Sequence, residues 1–223
     1  MENRRWLWIA IAGLVFILAL ASLELIVRAT AFFPSGSRPD ISFLQKTTTP
    51  TLPPLRETDP WTGSSSTEAV VVTIFGDMTD LSTRSLEPAV VAIINEIPET
   101  RIVWRDLVIA SDSPSAILAA AAGRCANDQK RFWQFRSQIM SATGELDLNR
   151  LQEYARTAGI DVGAFNACMA TGEDTLAVQQ DNAMAVQYNI AMTPTVFIDG
   201  KHVRQDIDVN GLRWEVFKAR LKK

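Results

Sequence analysis

The chain has 223 residues, 47% of them apolar, and a net charge of −3. This charge gives no electrostatic basis for binding nucleic acid. The sequence contains one histidine, His202, and two cysteines, Cys125 and Cys168. A zinc site built from histidine and cysteine needs more such ligands at close spacing, so a metal site of that kind is excluded. No glycine-rich phosphate loop is present either, and we expect no cofactor.

An uncharged N-terminal segment predicts a membrane anchor. Trp6–Leu23 contains no charged residue, and its length is about the minimum for a helix that crosses a bilayer. Arg4 and Arg5 precede it and predict that the N-terminus stays in the cytoplasm. We therefore expect residues 1–33 to hold a single transmembrane helix that contacts lipid through Trp6–Phe33. Everything after it is expected to be extracytoplasmic, either periplasmic or on the cell surface.

A cleaved signal peptide is the alternative interpretation of the same segment. Ala19-Leu20-Ala21 has the small-x-small pattern of a cleavage site. The apolar pattern does not stop there, however, which favours a retained anchor. Both interpretations place the rest of the chain on the same side of the membrane.

Residues 34–67 form a predicted linker between the anchor and a folded domain. Prolines stand among serine, threonine and glycine, and no periodic apolar pattern runs through the segment. Proline stiffens such a segment into a semi-extended spacer. The alternative is that Ile41–Leu44 and Trp61 dock on a neighbouring protein.

The predicted domain, 68–223, begins with a strand, a helix and a second strand. Ala69–Phe75 is rich in β-branched residues and predicts a buried strand. Apolar residues at helical spacing predict a helix over Ser82–Ile97, and Pro98 ends it. Arg101–Ile109 predicts the second strand. This order is typical of a right-handed crossover that joins two parallel strands.

A helical insert is predicted over about residues 111–190, because Ser115–Tyr188 is helical in pattern throughout. Breaks are expected at its glycines, which are Gly144, Gly159, Gly163 and Gly172. Thr195–Ile198 then predicts a third strand, and the Asp199-Gly200 turn leads into a returning strand, Lys201–Arg204. A last helix over Gly211–Lys222 is predicted to turn Leu212, Val216, Phe217 and Leu221 inward. The tryptophans Trp104, Trp133 and Trp214 are predicted to be core residues.

This α/β layout, together with four local motifs, resembles the DsbA-like disulfide oxidoreductases. The resemblance spans Glu68–Lys223 and implies a thioredoxin fold with a helical insertion. The motifs are Val72–Asp77 with the run to Leu86-Glu87-Pro88, the segment Ala119–Trp133, the segment Phe165–Met169, and Met192–Gly200.

The chain departs from this family at the catalytic pair. Family members carry a Cys-x-x-Cys motif at the start of the first helix, and the matching positions here are Asp80, Leu81, Ser82 and Thr83. Thiol exchange needs one thiolate to attack a disulfide and a second thiol to resolve the mixed disulfide. The family mechanism is therefore expected to be lost. Asp80, Ser82 and Thr83 suit the N-cap and first turn of a helix instead.

The two cysteines lie elsewhere, 43 positions apart in the predicted insert. In an oxidising compartment two cysteines on adjacent helices most often bridge, and some members of the resembled family carry a structural disulfide at matching places. Cys125 and Cys168 are therefore predicted to form a structural disulfide. A relocated redox pair and two buried free thiols remain as alternatives.

The resemblance also implies a cis peptide bond at Thr193-Pro194, in a loop that pairs with substrate backbone in active relatives. Here the loop could still bind an extended peptide, or the proline could serve only the turn. The sequence thus favours a membrane-anchored, non-catalytic interaction or scaffold module, such as an accessory subunit of a membrane complex with a protein partner. The alternatives are thiol-disulfide exchange by Cys125 and Cys168, and a chaperone-like peptide-binding module.

Overall fold

The computed structural model of the chain describes residues 49–108, 113–144, 146–204 and 206–223. The predicted anchor, 1–33, lies outside these ranges. Within them, no helix is both long and apolar enough to cross a membrane. The chain divides into two units, 1–47 and 48–223, and the second, which is compact, contains all the described residues.

A five-stranded sheet forms the centre of this second unit, with strands in the order β1-β3-β2-β4-β5. β2 and β3 are parallel, with Val72 opposite Ile102, whereas the other neighbouring pairs are antiparallel. The strands are β1 (Trp61–Gly63), β2 (Val70–Gly76), β3 (Thr100–Asp106), β4 (Thr195–Ile198) and β5 (Lys201–His202).

Eight helices surround this sheet in the described ranges. Five of them follow β3 and precede β4, as predicted for the insert. The helices are α1 (Leu81–Ser85), α2 (Glu87–Glu96), α3 (Pro114–Asp128), α4 (Phe132–Met140), α5 (Leu148–Thr157), α6 (Val162–Thr171), α7 (Glu173–Gln187) and α8 (Val209–Arg220).

Apolar residues cover both faces of the sheet, since successive side chains of a strand point to opposite sides. Ile74 of β2 belongs to the main core with Ile93 of α2 and Val216 of α8. Its neighbour Phe75 belongs to a second cluster with Ala185 of α7. The prediction of an α/β thioredoxin fold with a helical insertion is confirmed for the described residues.

The predicted helix over Ser82–Ile97 is in fact two helices, α1 and α2, that meet at Leu86. Pro88 lies in the first turn of α2. Because proline has no N–H group, it cannot donate to the carbonyl four residues earlier, and a continuous helix would lose that bond. The N–H of Leu86 instead donates to the carbonyl of Thr83 at 3.2 Å.

The break predicted at Gly163 is wrong, because this glycine lies within α6. The chain turns just before it, where Gly159 has a φ of 73° and Asp161 caps α6. The carboxylate of Asp161 accepts a hydrogen bond from the N–H of Ala164, so the cap rather than the glycine fixes the start of the helix.

The inward side of the last helix was only partly predicted. Leu212 and Val216 are fully buried, whereas Phe217 and Leu221 are exposed over 42% and 70% of their surface. Trp214 is also exposed, so it is not a core residue, while Trp104 is buried. α8 packs on the sheet and α2 along one side only, and these three apolar residues lie on its other side.

The folded unit starts before residue 68, within the segment predicted to be a spacer. β1 pairs with β3, which places Trp61 opposite Val103. The N–H of Thr51 donates to the carbonyl of Tyr188 at 3.0 Å, and Asp59 is buried. Residues 51–63 therefore contain an edge strand and a buried acid. This proline-rich segment has no apolar periodicity, and backbone hydrogen bonds and ion pairs attach it to the folded unit instead. Ile41–Leu44 lie outside the described ranges.

Candidate functional site

The loop after β2 leads into α1, and this junction holds Asp80–Thr83, the positions predicted to replace a catalytic cysteine pair. Asp80 is the N-cap of α1. Its Oδ2 atom accepts hydrogen bonds from the N–H of Thr83 at 2.9 Å and from the hydroxyl of Thr83 at 3.0 Å. Such a side chain satisfies a backbone donor that a helix N-terminus leaves without a partner. Thr83 is buried, whereas Leu81 and Ser82 are exposed.

A second segment meets this helix start from the opposite side. The Thr193-Pro194 peptide bond is cis. The hydroxyl of Thr193 lies 3.3 Å from Oδ2 of Asp80, so the fold brings the proline loop and the N-terminus of α1 together. Leu81 and Met192 flank the contact and are exposed over 79% and 57% of their surface. We call this set of five residues, Asp80, Leu81, Met192, Thr193 and Pro194, the proline-loop surface.

The close packing of the end of β2 against Trp104 and Thr83 depends on Gly76, the last residue of β2. A Cβ atom added there would lie 2.5 Å from Cη2 of Trp104 and 2.8 Å from Cγ2 of Thr83. No real Cβ tolerates such distances, so a glycine lets the strand end pack against both side chains. A glycine at the end of a β-branched run is only a weak signal for this role.

The proline-loop surface holds hydrogen-bonding groups and apolar groups but no thiol. The only imidazole of the chain, on His202, is in β5 and packs at 5.5 Å from the ring of Phe197. Asp80 accepts hydrogen bonds from two threonine hydroxyls, those of Thr83 and Thr193. The arrangement offers polar and apolar groups that can contact an extended chain.

The two cysteines form a disulfide in the insert. Cys125 lies in the last turn of α3 and Cys168 in the last turn of α6, and their Cα atoms are 5.8 Å apart. Cys125 is 1% exposed. The bond therefore ties two helices of the insert together from within.

Carboxyl groups surround this disulfide. Oδ2 of Asp174 lies 3.1 Å from Sγ of Cys168 and 3.3 Å from Sγ of Cys125, and Oδ2 of Asp128 lies 3.9 Å from Sγ of Cys168. Disulfide sulfurs carry no proton, so only a protonated Asp174 can donate a hydrogen bond to them. Burial, and then the charge of Asp128, raise the pKa of Asp174.

This setting opposes a thiolate. A negative charge on either sulfur would face Asp174 and the negative end of its own helix, and a charge on Cys168 would also face Asp128. Each of these effects raises the pKa of a thiol. The same three groups, Cys125, Cys168 and Asp174, have the proximity of metal ligands. Both sulfurs are bonded to each other, however, so neither is available as a thiolate ligand in this state.

A buried ion network lies beside the disulfide, and the sequence analysis missed it. Asp181 of α7 accepts hydrogen bonds from Arg124 of α3 and from Arg56, at 2.6 Å for the latter. Burial alone would raise the pKa of Asp181, but the hydrogen bonds and charges of Arg56 and Arg124 outweigh burial and lower it. Arg56 also binds the buried Asp59, which lies 3.4 Å from Arg105. The network fastens the segment before β1 to the insert.

Asp106 ends β3 at the edge of this network and lines a cavity of about 220 Å³. Its Oδ1 accepts a hydrogen bond from Nε1 of Trp104 at 2.8 Å, and Arg124 lies 3.5 Å from its Oδ2. Burial is the largest influence and raises the pKa of Asp106 to about 6, although both neighbours oppose the shift. The available signal was the charged pair Arg105-Asp106 directly after the apolar run Ile102–Trp104, because charged residues seldom enter a buried strand without partners.

Comparison with known proteins finds relatives by sequence and by fold. A stretch of the Na(+)/H(+) antiporter NhaA 1 of Salinispora arenicola is 28% identical over 150 residues, which is 67% of this chain and 23% of that protein. The chain thus spans less than a quarter of the length of the curated relatives it matches.

Solved structures show the same fold at low identity. A thioredoxin-like oxidoreductase from Silicibacter pomeroyi has a TM-score of 0.64 at 23% identity, covering 74% of this chain and 94% of that one. The thiol-disulfide exchange protein alpha-DsbA2 from Wolbachia pipientis has a TM-score of 0.65 at 18% identity, covering 80% and 93%. The sequence profile of the thioredoxin family matches residues 56–216. The chain belongs to the thioredoxin family.

Proposed function

We propose that this chain is a non-catalytic thioredoxin-family module that is anchored in a membrane and binds a protein partner through the proline-loop surface. The observation that carries the proposal is the chemistry at the start of α1. By the sequence resemblance, Asp80 and Thr83 correspond to the two cysteine positions of the DsbA-like family, and in the structure they bond to each other. A carboxylate and a hydroxyl cannot carry out thiol exchange.

The setting of the disulfide argues against a relocated redox pair. An attacking thiol is effective when its pKa lies near the ambient pH, and a thiol with a low pKa is the better leaving group. Asp174 acts in the opposite direction for both sulfurs, and Asp128 does so for Cys168. The Cys125–Cys168 bond is better suited to holding α3 and α6 together.

We propose a membrane protein as the class of partner. In the Salinispora arenicola relative, the matched region is 23% of a protein named as an antiporter. A thioredoxin-like region and an antiporter therefore share one chain in that relative. The uncharged segment Trp6–Leu23 of this chain supports a position at the membrane by a separate route.

The proline-loop surface is suited to an extended segment of such a partner. Leu81 and Met192 present apolar side chains to solvent on either side of the Asp80–Thr193 contact. Methionine adapts its shape to different partners, and extended segments bind through backbone contacts that need no catalytic group.

The test uses the full chain in mild detergent. In a thiol-disulfide exchange assay with a model dithiol and a model disulfide, we expect the uncatalysed rate. After in-cell cross-linking, we expect a stoichiometric membrane protein to co-purify, and the variant L81E/M192E to lose it. The matched control is L176E, which changes another exposed leucine, at the start of α7. Exchange at the rate of an enzyme with a Cys-x-x-Cys pair would contradict the non-catalytic part, and equal recovery of the partner by L81E/M192E would contradict the assigned surface.

A further inference from the structure

The C-terminal helix α8 has an apolar face that the fold does not use. Trp214, Phe217 and Leu221 are exposed over 56%, 42% and 70% of their surface, while Leu212 and Val216 on the other side are fully buried. The spacing of three and then four residues places the exposed three on one stripe of the helix. The rings of Trp214 and Phe217 stack at a centroid distance of 5.8 Å.

Cations border this stripe on both sides. At about 100° per residue, Lys218 and Lys222 lie along one side of the stripe, and Arg213 and Arg220 lie along the other. Lys218 also lies 5.9 Å from the centroid of the Trp214 ring. Arg213 and Arg220 pair with Glu96 and Glu99, so the stripe is held in place on that side.

A groove of about 790 Å³ continues the lysine side of the stripe. Five cations line it, against two acids: Lys201, Arg204, Lys218, Lys222 and Lys223 face Asp199 and Glu215. Three of these cations have acidic partners. Within the described residues, no ion pair is recorded for Lys201 or Lys222. The groove thus combines an excess of positive charge with an open surface.

The C-terminal end of the chain carries an excess of cations, unlike the rest of the chain taken together. Residues 209–223 contain five lysines and arginines and one acid, whereas the remaining residues contain 17 lysines and arginines and 24 acids. A helix that joins a tryptophan and phenylalanine stripe to lysine and arginine borders has the composition of one that lies in a membrane interface. Long cationic side chains can reach the headgroups while the ring systems enter the boundary below.

We propose that α8 and the adjoining groove dock on the surface of an anionic phospholipid bilayer. The stripe of Trp214, Phe217 and Leu221 enters the headgroup layer, and the lysines of the groove contact lipid phosphates. The inference rests on the proposed function in one respect, which is that the chain works at a membrane. It adds a second membrane contact that is independent of the anchor and of the proline-loop surface.

The experiment reconstitutes the full chain into vesicles of phosphatidylcholine alone or of phosphatidylcholine with phosphatidylglycerol. Part of the phosphatidylcholine carries bromine near the top of its acyl chains, which quenches tryptophan fluorescence on contact. The difference between the wild type and W214F isolates Trp214 from the other tryptophans. We expect Trp214 to be quenched in the anionic vesicles, and quenching to fall when salt is raised.

The variant K218E/K222E should lower the docked fraction by roughly tenfold or more, because each lysine near an anionic surface contributes attraction that its reversal turns into repulsion. The matched control is K130E/R131E, which reverses the same charge at two exposed residues between α3 and α4. Unquenched Trp214 in anionic vesicles, equal quenching in both vesicle types, or an unchanged K218E/K222E would each overturn the proposal.

The result does not depend on the proposed anchor. Flotation of the vesicles after alkaline carbonate extraction reports whether the N-terminal segment is inserted. A chain that fails to float would contradict the anchor, and vesicles added to the same detergent-free chain would still report on Trp214. A chain that floats with unquenched Trp214 would contradict only the docking of α8.

Discussion

Two regions of this molecule differ in the electrostatic surroundings that they give to the groups they hold. At the N-terminus of α1, the helix dipole and free backbone N–H groups favour a negative charge, and the chain places a carboxylate there, on Asp80. In the insert, acids and helix C-termini oppose a negative charge, and the chain places its two cysteines there. The field that would make a thiol reactive therefore acts on a group that cannot exchange.

The reactivity of a thiol therefore depends on its position in the fold as much as on the residue itself. A cysteine at position 80 would have a thiolate stabilised by α1, whereas Cys168 has Asp174 at 3.1 Å. The chain does contain two cysteines, but their surroundings suit a structural disulfide. Five sets of substitutions test this contrast between the N-terminus of α1 and the disulfide of the insert.

The largest effect is expected from D80C/T83C in a C125A/C168A background, which installs the missing pair without the native sulfurs. Because α1 stabilises a thiolate at its N-terminus, the exchange rate should rise by roughly two orders of magnitude or more over the same background with Asp80 and Thr83. A dithiol oxidation assay measures it. D80C alone, which has no resolving thiol, should stop at the mixed disulfide. An inactive double variant that folds would show that the position has lost more than its cysteines.

Removal of the native disulfide by C125A/C168A should lower the free energy of unfolding by about 3–4 kcal/mol, because the unfolded chain loses a constraint on a closed loop. Chemical denaturation of the full chain in detergent measures it. The reduced wild type serves as the matched control and should lose a similar amount. A change within error would mean that α3 and α6 hold without the bond, and the structural role would be contradicted.

Asp106 lies between the two regions, since it is in register with Gly76 and its partner Arg124 precedes Cys125. A carboxyl group whose pKa is raised to about 6 by burial stabilises the fold fully below its unfolded pKa, and this contribution is lost as the pH rises through about 6. D106N keeps an acceptor for Trp104 and carries no charge. It should therefore be more stable than the wild type at pH 8 by on the order of 2–3 kcal/mol, and equal to it at pH 4.

Denaturation of D106N and the wild type side by side at both pH values measures this effect. The comparison at each pH cancels the titration of groups that the two proteins share. A stability difference that stays the same at pH 4 and pH 8 would show that Asp106 does not titrate in this range.

D174N tests the field around the sulfurs more directly. Loss of a charge beside Cys168 should lower the pKa of its thiol in the reduced chain and speed alkylation at neutral pH by about three- to tenfold. Mass spectrometry of timed samples measures it. E173Q is the control, because Glu173 is the neighbouring acid and is not among the carboxyl groups that contact sulfur. It should change the alkylation rate less. Equal rates for D174N and wild type would mean that the carboxyl does not control these thiols.

D80A is expected to have the smallest effect. It removes the cap of α1 and the contact to Thr193, which should lower the free energy of unfolding by about 1 kcal/mol. D80N retains an acceptor and should lose less. Thermal unfolding of the two variants in the same detergent measures the difference, and a D80A as stable as the wild type would show that the cap is dispensable.

Local patterns alone predicted much of the fold. The β-branched run before Gly76, the hairpin signal at Asp199-Gly200 and the helical insert each correspond to elements of the structure. The absence of cysteine at positions 80 and 83 is also readable without coordinates. These features depend on neighbours in the chain, and neighbours in the chain are what a sequence shows directly.

The tertiary structure was needed to show which charged and polar residues lie close enough to affect each other electrostatically. Asp174 meets the disulfide, Thr193 meets Asp80, and Arg56 meets Asp181 across large separations in the chain. Likewise, the exposure of Trp214 depended on which side of α8 the sheet covers. The sequence therefore determined that positions 80–83 contain no cysteine. The structure decided that the remaining pair lies where acids oppose a thiolate, because electrostatic fields act through space and not along the chain.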